Sequence, residues 1–553
     1  MRRIKAIIKK MLLIGLTVAA WLVRPLMRIR GFKHLAIRLT SPFPRLQKAA
    51  YRRVFGVEMP VPQDPRPART ARSMCVAAVL DEFSFNCFAP ECNLLAVTPE
   101  DWRQVFSQNK IDLFLCESAW AGNDSVKRPW RGRVYASRNF TKENRTPLLE
   151  ILEYCNSCRI PTVFWNKEDP SHYEDQVHNF VATAKLFDHV FTTAVECVSR
   201  YKQEHGCPSV HVLPFATQPK LFSPIQTIPR SQEIVFAGSW YAQHPDRCVE
   251  MNAILQKFLD DGHELCIYDR HYGDSDPNHI WPEAFRPYTR PAVTHDQIAE
   301  VYKQSDYGLN INTATTSYTM FARRVFELMS CNTLVLTNTA AGVEEMFADV
   351  VVMVDGERSL DLADADQKRA AALVRVLRHH TYRNRLEKIF RTVGLNVITA
   401  QDSVSFFYKI DSPDQATKAL AHLSAIQSCK KGVLLVSDKV SAADLNELVL
   451  CHQSAMVQVH SVDYLRRYGA PLTLATDFAC WADCNTPLSL CNEGPLHFQY
   501  LPPRSAIKSG CPQYTLVQTF PGLGTMVDRE GFPALCKAML GDTAPEILPS
   551  LLI

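Results

Sequence analysis

SYTMFARRVFELMSCNTLVLTNTAAGVEEMF, residues 317–347, contains a polar loop, a helix-like segment, an apolar strand and the start of a second helix. The strand portion, TLVLTNT, is a continuous apolar run, which is typical of a parallel strand covered on both faces. In the helix-like segment, Arg323 and Glu327 are four residues apart and share one face, with Arg324 beside them. The stretch therefore predicts an α/β domain with charged groups close to the end of a strand.

Similar apolar runs recur along the chain. In residues 73–220 they are MCVAAVL, IDLFLCES, IPTVFWN, HVFTTAV and VHVLPFA, and in residues 221–394 they are EIVFAGSW, HELCIYD, YGLNINT, TLVLTNT and VVMVD. Helix-like segments separate them, and one long helix is expected over Asp366–Val393. Two such series predict two Rossmann-like doubly wound domains that face each other across a cleft.

The pattern is weaker in residues 395–553, where VSFFYKI, GVLLVSD and PLTLATD are the candidate strands. We expect a third, accessory α/β or α+β domain there. Residues 58–72 contain four prolines and few apolar side chains, which indicates a linker. Eighteen cysteines in so long a chain favour a reducing compartment, so a cytoplasmic location is expected.

The first 57 residues contain 14 Lys and Arg and no acid, which leaves 47 bases and 57 acids in the rest of the chain. The apolar run Met11–Val23 has thirteen residues, fewer than the roughly 20 that span a bilayer. We predict a basic amphipathic helix that lies on the anionic inner face of a membrane. A secretory signal peptide, or a basic helix packed on the body, are the alternatives. Nucleic acid is not an expected partner, because the body is acidic.

The charged helix within residues 317–347 suggests how a nucleotide could be bound. A carboxylate such as Glu327 can accept both hydroxyls of a ribose, while guanidinium groups can bind a pyrophosphate through paired hydrogen bonds. A solvated salt-bridge face is the alternative for the same spacing.

This stretch resembles the nucleotide-sugar region of retaining GT-B glycosyltransferases. The chain is most similar to the spore-maturation-like (CgeB-type) branch, through DEFSFNCFAPECNLLAVTPEDW, ESAWAGN, FWNKEDP, FAGSWY and TMFARRVFELMSCNTLVLTN, over roughly residues 73–393. The resemblance implies a hexosyltransferase-type enzyme with a nucleotide-diphosphate sugar as co-substrate, no metal or other cofactor, and retained anomeric configuration. The family's second acid would fall at Thr319, which is a departure. In relatives of this type the tail often resembles a second transferase domain of the GT-A kind, so residues 395–553 are expected to be an accessory or degenerate GT-A-like domain.

The resemblance and the positions after the strands give the candidate site residues. Donor binding is expected of Gly238, Ser239, Tyr241, Arg247, Tyr288, Arg290, Asn310, Asn312, Thr319, Met320, Arg324 and Glu327. Acceptor binding is expected of Asp81, Glu82, Ser118, Trp120, Lys167 and His172, beside Glu117. Catalytic roles are expected of Arg323 and Glu327, with Glu168 or Asp169 as the base if the reaction inverts configuration. The acceptor would be a cell-surface polysaccharide, a lipid-linked glycan or a protein.

Other readings of the sequence remain. A membrane-associated scaffold that kept the fold and lost turnover is the main alternative, and Thr319 in place of an acid motivates it. A nicotinamide-dependent oxidoreductase is excluded by the lack of a Gly-x-Gly-x-x-Gly turn after an early strand. Asp274-x-Asp276 and Asp364-x-Asp366 match a two-carboxylate metal pattern only by spacing.

Removal of residues 1–57 tests the predicted membrane segment. The full chain should co-sediment with vesicles that contain anionic lipid, because each cation near such a surface contributes about 1 kcal/mol. The truncated chain should stay in the supernatant, and neutral vesicles serve as the control. Equal binding of both chains to anionic vesicles would contradict the prediction.

Overall fold

A computed structural model describes residues 68–294, 297–398, 402–428, 430–509, 514–541 and 546–553. The predicted basic helix in residues 1–57 and residues 58–67 of the predicted linker lie outside the described residues. Within the described ranges, no helix combines the length and apolarity needed to cross a membrane.

The first domain is built on a parallel sheet of six strands. Its strands, preceded by the short β1 (Arg69–Thr70), are β2 (Cys75–Val79), β3 (Asn93–Ala96), β4 (Leu113–Glu117), β5 (Thr162–Asn166), β6 (His189–Thr192) and β7 (Val210–Val212). Its helices are α1 (Glu82–Phe88), α2 (Trp102–Gln108), α3 (Thr146–Cys158), α4 (Val181–Ala184) and α5 (Val195–His205). The spatial order β3-β2-β4-β5-β6-β7 reverses direction between β2 and β4. Ligands of open α/β sheets bind at such a reversal, outside the carboxyl ends of the strands.

The second domain has the strand order 3-2-1-4-5-6 that is typical of dinucleotide-binding domains. Its strands are β8 (Ser231–Ala237), β9 (Leu265–Asp269), β10 (Thr289–Pro291), β11 (Ser305–Asn310), β12 (Leu334–Thr337) and β13 (Val352–Met353). Its helices are α6 (Pro245–Asp260), α7 (Ile298–Lys303), α8 (Arg324–Ser330), α9 (Ala341–Phe347) and α10 (Ala365–His379). All its strands are parallel, and the order reverses between β8 and β11. The two predicted Rossmann-like domains are confirmed.

The single helix predicted over Asp366–Val393 is in fact two helices, α10 and α11 (Tyr382–Val393). Thr381 separates them because its side chain and that of Asn384 form a capping box, which starts a new helix. The apolar face of α11 packs on the first sheet, with Tyr382 and Phe390 in the same core as Met74 of that domain. The predicted boundary at residue 394 groups this helix with the second domain, whereas its packing partner is the first.

Arg385 fixes α11 to the first domain. Its Nε and Nη2 donate to the carbonyls of Pro214 and Phe215, at 2.8 and 2.7 Å. Its Nη1 donates to the carbonyl of His379 at 3.0 Å. A buried guanidinium with three carbonyl partners is therefore the polar anchor of an otherwise apolar contact.

The third domain is an α/β unit with a mixed eight-stranded sheet in the order β17-β16-β15-β18-β21-β19-β22-β20. Its strands, after β14 (Val397–Ile398), are β15 (Val404–Ile410), β16 (Lys430–Val436), β17 (Val457–Ser461), β18 (Phe478–Ala482), β19 (Ala506–Lys508), β20 (Thr515–Thr519), β21 (Thr525–Asp528) and β22 (Leu548–Leu552). Its helices are α12 (Pro413–Ala425), α13 (Ala442–His452), α14 (Val462–Tyr468), α15 (Leu488–His497) and α16 (Phe532–Leu540). The strand predicted at PLTLATD is wrong, because the chain becomes extended in the sheet only from Phe478.

The carboxyl ends of the first two sheets face each other. Thr319, after β11, donates its hydroxyl to the carbonyl of Thr193, after β6, at 2.7 Å. The guanidinium carbon of Arg323 lies 3.5 Å from the ring centroid of Phe83, which follows β2. Because segments after the strands of both sheets meet, the two topological reversals open into one cleft.

Replacing Arg385 tests the anchor of α11. Arg385→Met should lower the free energy of unfolding by about 3 kcal/mol, because buried carbonyls lose charged donors. The matched control on the same helix is Arg383→Met, whose pair with Glu387 is partly exposed and contributes about 0.5 kcal/mol. Thermal and denaturant unfolding of both variants measure the difference. Similar losses for both would contradict the role of Arg385.

Candidate functional site

Arg324 spans the reversal point of the second sheet. Its Nη2 donates to the carbonyl of Ala237, the last residue of β8, and its Nη1 lies 3.4 Å from Asn310 Oδ1, at the end of β11. Its Nε is buried and has no hydrogen-bond partner among the described residues. A guanidinium therefore lies between the two strand ends where this type of domain binds a nucleotide.

Glu327 lies one turn further along α8 and is almost fully buried. Its Oε1 is 3.2 Å from Arg323 Nε, yet it accepts no hydrogen bond of good geometry within the described part of the chain. Burial raises the pKa of Glu327, and the charges of Arg323 and Arg324 partly oppose that shift. A desolvated carboxylate oxygen beside two guanidinium groups can accept hydroxyl donors from a ligand.

Asn310 and Asn312 form an amide network where β11 and β12 end. Asn310 Nδ2 donates to Asn312 Oδ1 at 3.0 Å, and the backbone N–H of Asn312 donates to Asn338 Oδ1 at 2.7 Å. Asn338 Nδ2 in turn donates to Glu250 Oε2 at 2.8 Å. Because Asn312 Oδ1 also accepts the N–H of Ala322, the network fixes the loop that leads into α8.

The turn after β8 is more enclosed than the sequence suggests. The N–H of Gly238 donates to the carbonyl of Tyr268, and a Cβ at Gly238 would meet the ring of Phe236 at 2.6 Å. The hydroxyl of Ser239 is buried and accepts the N–H of Arg270 at 3.1 Å. Gly238 is thus required for packing, and its amide already has a partner.

Arg247 and Tyr241 lie close to this turn. Arg247 is buried on the first turn of α6, where burial lowers its pKa, and its guanidinium carbon lies 5.5 Å from the ring centroid of Tyr241. Tyr241 also meets the edges of two further rings, those of His271 and His279. Arg247 and Tyr241 therefore border the same strand-end region as Arg324.

Four other predicted donor residues lie elsewhere. Tyr288 packs on the apolar core beneath the sheet, and Arg290 Nη2 extends to within 3.6 Å of Glu233 Oε1, near the start of β8. Thr319 bonds the first domain, since its Oγ1 also accepts the N–H of Val195 at 2.9 Å. Met320 packs against the core of the first domain. The structure therefore gives Thr319 and Met320 a contact between domains.

On the acceptor side, Lys167 connects two carboxylates. Its Nζ donates to Asp81 Oδ2 at 2.9 Å and to Glu117 Oε1 at 2.8 Å. Burial raises the pKa of Glu117, whereas for Asp81 the charge of Lys167 and backbone donors outweigh burial and lower the pKa. Ser118 is also buried, and its Oγ accepts the N–H of Lys167. These residues organise the strand ends, while Glu82 is exposed at the start of α1.

Asp169 is enclosed in the first domain. Its Oδ1 accepts from Asn166 Nδ2 at 2.8 Å and its Oδ2 accepts from Thr192 Oγ1 at 2.7 Å. Burial raises its pKa to about 7. Because Asp169 has no exposed surface, of the two predicted bases only Glu168 has the access that a base requires.

Glu168, Trp120 and His172 lie together on the open side of the first domain. Trp120 Nε1 donates to Glu168 Oε1 at 3.0 Å, and Glu168 Oε2 is 4.0 Å from His172 Nε2. Asp175 and His178 complete the group, since Asp175 Oδ2 is 3.1 Å from His172 Nδ1 and 3.0 Å from His178 Nδ1. The sequence analysis missed the last two residues, although the spacing His-x-x-Asp-x-x-His is visible in the chain.

The comparisons with known proteins concern the second domain and the fold. Residues 253–391 match the family model described as Glycosyl transferase-like, so the chain contains a glycosyltransferase-like domain. No curated protein matches the chain.

Several solved structures are distantly similar to part of the chain. An alpha-glucosyltransferase in complex with UDP and a 13-mer DNA containing a central A:G mismatch is 11% identical, with a TM-score of 0.40 over 58% of this chain and 98% of that one. AviGT4, a glycosyltransferase involved in avilamycin A biosynthesis, is 12% identical, with a TM-score of 0.34 over 58% and 97%. TarM is 10% identical, with a TM-score of 0.32 over 51% and 54%. These likenesses concern the fold alone.

The burial of Asp169 predicts a pH dependence of stability. Its pKa is about 7 in the folded chain and about 3.9 in an unfolded one, so its contribution is complete below pH 4 and is lost as the pH rises to 7. Asp169→Asn stays neutral throughout. The melting temperature of this variant relative to the wild type should therefore increase from pH 4 to pH 7 and then level off. Glu196→Gln, at an exposed position, is the control, and a flat difference for Asp169→Asn would refute the assignment.

Proposed function

We propose that the chain transfers a sugar from a nucleotide-diphosphate donor that binds at the strand ends of the second domain. The observation that carries the proposal is the buried Oε1 of Glu327, which forms an ion pair with Arg323 but accepts no hydrogen bond of good geometry from the described residues. It lies one turn from Arg324, whose guanidinium is at the β8–β11 reversal. A ribose diol would supply the missing donors, and the diphosphate would lie against Arg323 and Arg324. The glycosyltransferase-like family match over residues 253–391 supports the same class of reaction.

In the proposed reaction, the bond between the sugar C1 and the diphosphate oxygen breaks, and an acceptor hydroxyl oxygen bonds to C1. Arg323 and Arg324 stabilise the negative charge on the leaving diphosphate, so no metal ion is required there. The hydroxyl proton leaves with the diphosphate if configuration is retained, as the family resemblance implies. If configuration is inverted, Glu168 takes the proton.

The acceptor would enter from the first domain. Trp120 and His172 pack edge to face beside Glu168, and aromatic rings next to a carboxylate are a combination suited to a sugar. We propose a cell-surface polysaccharide, a lipid-linked glycan or a protein as the acceptor, and the inner membrane face as the place of reaction, reached through residues 1–57. The CgeB-type assignment and the expectation that nucleic acid is not a partner stay predictions from the sequence.

Thr319 favours one alternative, a scaffold without turnover. Its hydroxyl bonds Thr193 and Val195 across the cleft, at the position where the resembled family has a second acid. Such a protein would bind the nucleotide and release no free diphosphate from its sugar.

A thermal-shift screen with UDP, GDP, CDP, ADP, dTDP and their sugars tests the donor site. A ligand at 100 times its Kd should stabilise the wild type by about 2.7 kcal/mol. We expect one base to stabilise the wild type, with the shift lost in Glu327→Ala and kept in Glu345→Ala, an exposed acid on α9.

Glu327→Gln keeps the shape of the side chain and removes its charge. It therefore tests whether a shift lost in Glu327→Ala depends on the carboxylate or on a disturbed fold.

Incubation of the wild type with the stabilising donor then distinguishes a transferase from a scaffold without turnover. Release of the nucleoside diphosphate above background supports the transferase, and binding without release supports the scaffold. A shift that persists in Glu327→Ala would contradict the assigned site.

A further inference from the structure

The group His172, Asp175 and His178 has a geometry that the donor chemistry does not use. The two Nδ1 atoms and one carboxylate oxygen all lie within 4.8 Å of one another. Both nitrogens face the same oxygen, Asp175 Oδ2, at 3.1 and 3.0 Å. Three potential ligand atoms thus converge on one point of the first domain.

We propose that these three side chains bind a divalent transition-metal ion of the Zn²⁺ class. Two imidazoles and one carboxylate are ligands that zinc favours, and a tetrahedral ion with bonds of about 2.0–2.1 Å holds its ligand atoms about 3.3 Å apart. The separations from Asp175 Oδ2 are close to that value. The imidazole planes of His172 and His178 cross at 82°, so one ion can lie in the plane of both rings.

The surroundings supply the outer contacts that a metal site needs. Asp175 Oδ1 accepts the N–H groups of Val177 and His178, at 2.7 and 3.1 Å, which fixes the carboxylate and leaves Oδ2 for the ion. The far nitrogen of His172, Nε2, faces Glu168 Oε2 at 4.0 Å. A metal-bound histidine characteristically directs its other N–H to a carboxylate.

A second cluster in the second domain does not meet the same requirement. His271, Asp274 and His279 also bring their ligand atoms within 4.8 Å. However, the two rings are stacked, with centroids 3.6 Å apart and planes at 12°. An ion cannot lie in both of two nearly parallel planes, so these residues make a stacked, hydrogen-bonded pair and provide the matched control.

The proposed ion goes beyond the proposed sugar transfer, since it belongs to the first domain and its three protein ligands leave one coordination position open. It would anchor residues 168–178, which carry Glu168 and His172 toward the cleft. The sequence analysis expected no metal site in the chain, so this proposal departs from that expectation, although the donor diphosphate itself still requires no metal.

Metal content of the full chain, purified without an affinity tag and dialysed against Zn²⁺ and then buffer, tests the site. We expect one tightly held Zn²⁺ per chain, lost in His172→Ala/His178→Ala and retained in His271→Ala/His279→Ala. Asp175→Asn keeps the backbone hydrogen bonds and should weaken binding at least tenfold, which guards against loss of folding as the cause. Circular dichroism checks each variant.

Co²⁺ substitution gives the ligand type. We expect the visible absorption of a four-coordinate Co²⁺ ion without a thiolate charge-transfer band. Such a band would indicate binding to the exposed Cys158, Cys451 or Cys484 instead. A wild type that holds no metal would overturn the proposal in favour of a hydrogen-bonded His–Asp–His group. Loss of metal in the control pair, or a thiolate band, would overturn it in favour of another site. None of these readouts depends on sugar transfer, so the two proposals fail separately.

Discussion

The guanidinium of Arg324 between the ends of β8 and β11 is the contact on which the second domain's site depends. It holds together two strands whose following loops run in opposite directions, and it places positive charge where the sheet itself offers only carbonyl oxygens. Helix α8 can lie close enough because Gly308 has no side chain, and a Cβ there would collide with Leu328. Glu327 is buried as a result, and its carboxylate is desolvated beside the cations.

At the reversal point of the first sheet, the cation between the strand ends is a buried lysine, Lys167. Removing charges from water is costly, and a buried ion group is stable only when its members satisfy one another. Lys167 does this for Asp81 Oδ2 and Glu117 Oε1, and the backbone donors of Trp120 and Ala121 complete the shell of Asp81. Glu117 Oε2 has no hydrogen-bond partner among the described residues. These contacts hold the strand ends in place. The groups that a ligand can reach are those outside them, such as Trp120, Glu168 and His172.

The sequence predicts the architecture well, because strands covered on both faces are continuous apolar runs. It does not show the edge strand β3, whose side chains are only partly buried, or the break at Thr381, which depends on a capping box. For the site, the structure brings Asn310, Arg324 and Glu327 together at the strand ends of the second domain, and their roles stay predictions. Their partners depend on distances across the fold, so the enclosure of Asp169 and the contact of Thr319 with the other domain could not be predicted.

Helix α11 completes the core of the first domain, although the strands of that core are synthesised well before the helix. Part of the face of the first sheet around Met74 and Trp165 stays uncovered until Tyr382 and Phe390 have left the ribosome. The core of the first domain is therefore completed only after the second domain has been synthesised, and apolar surface that is exposed during synthesis favours aggregation. How long that surface is exposed is thus set by where one helix packs.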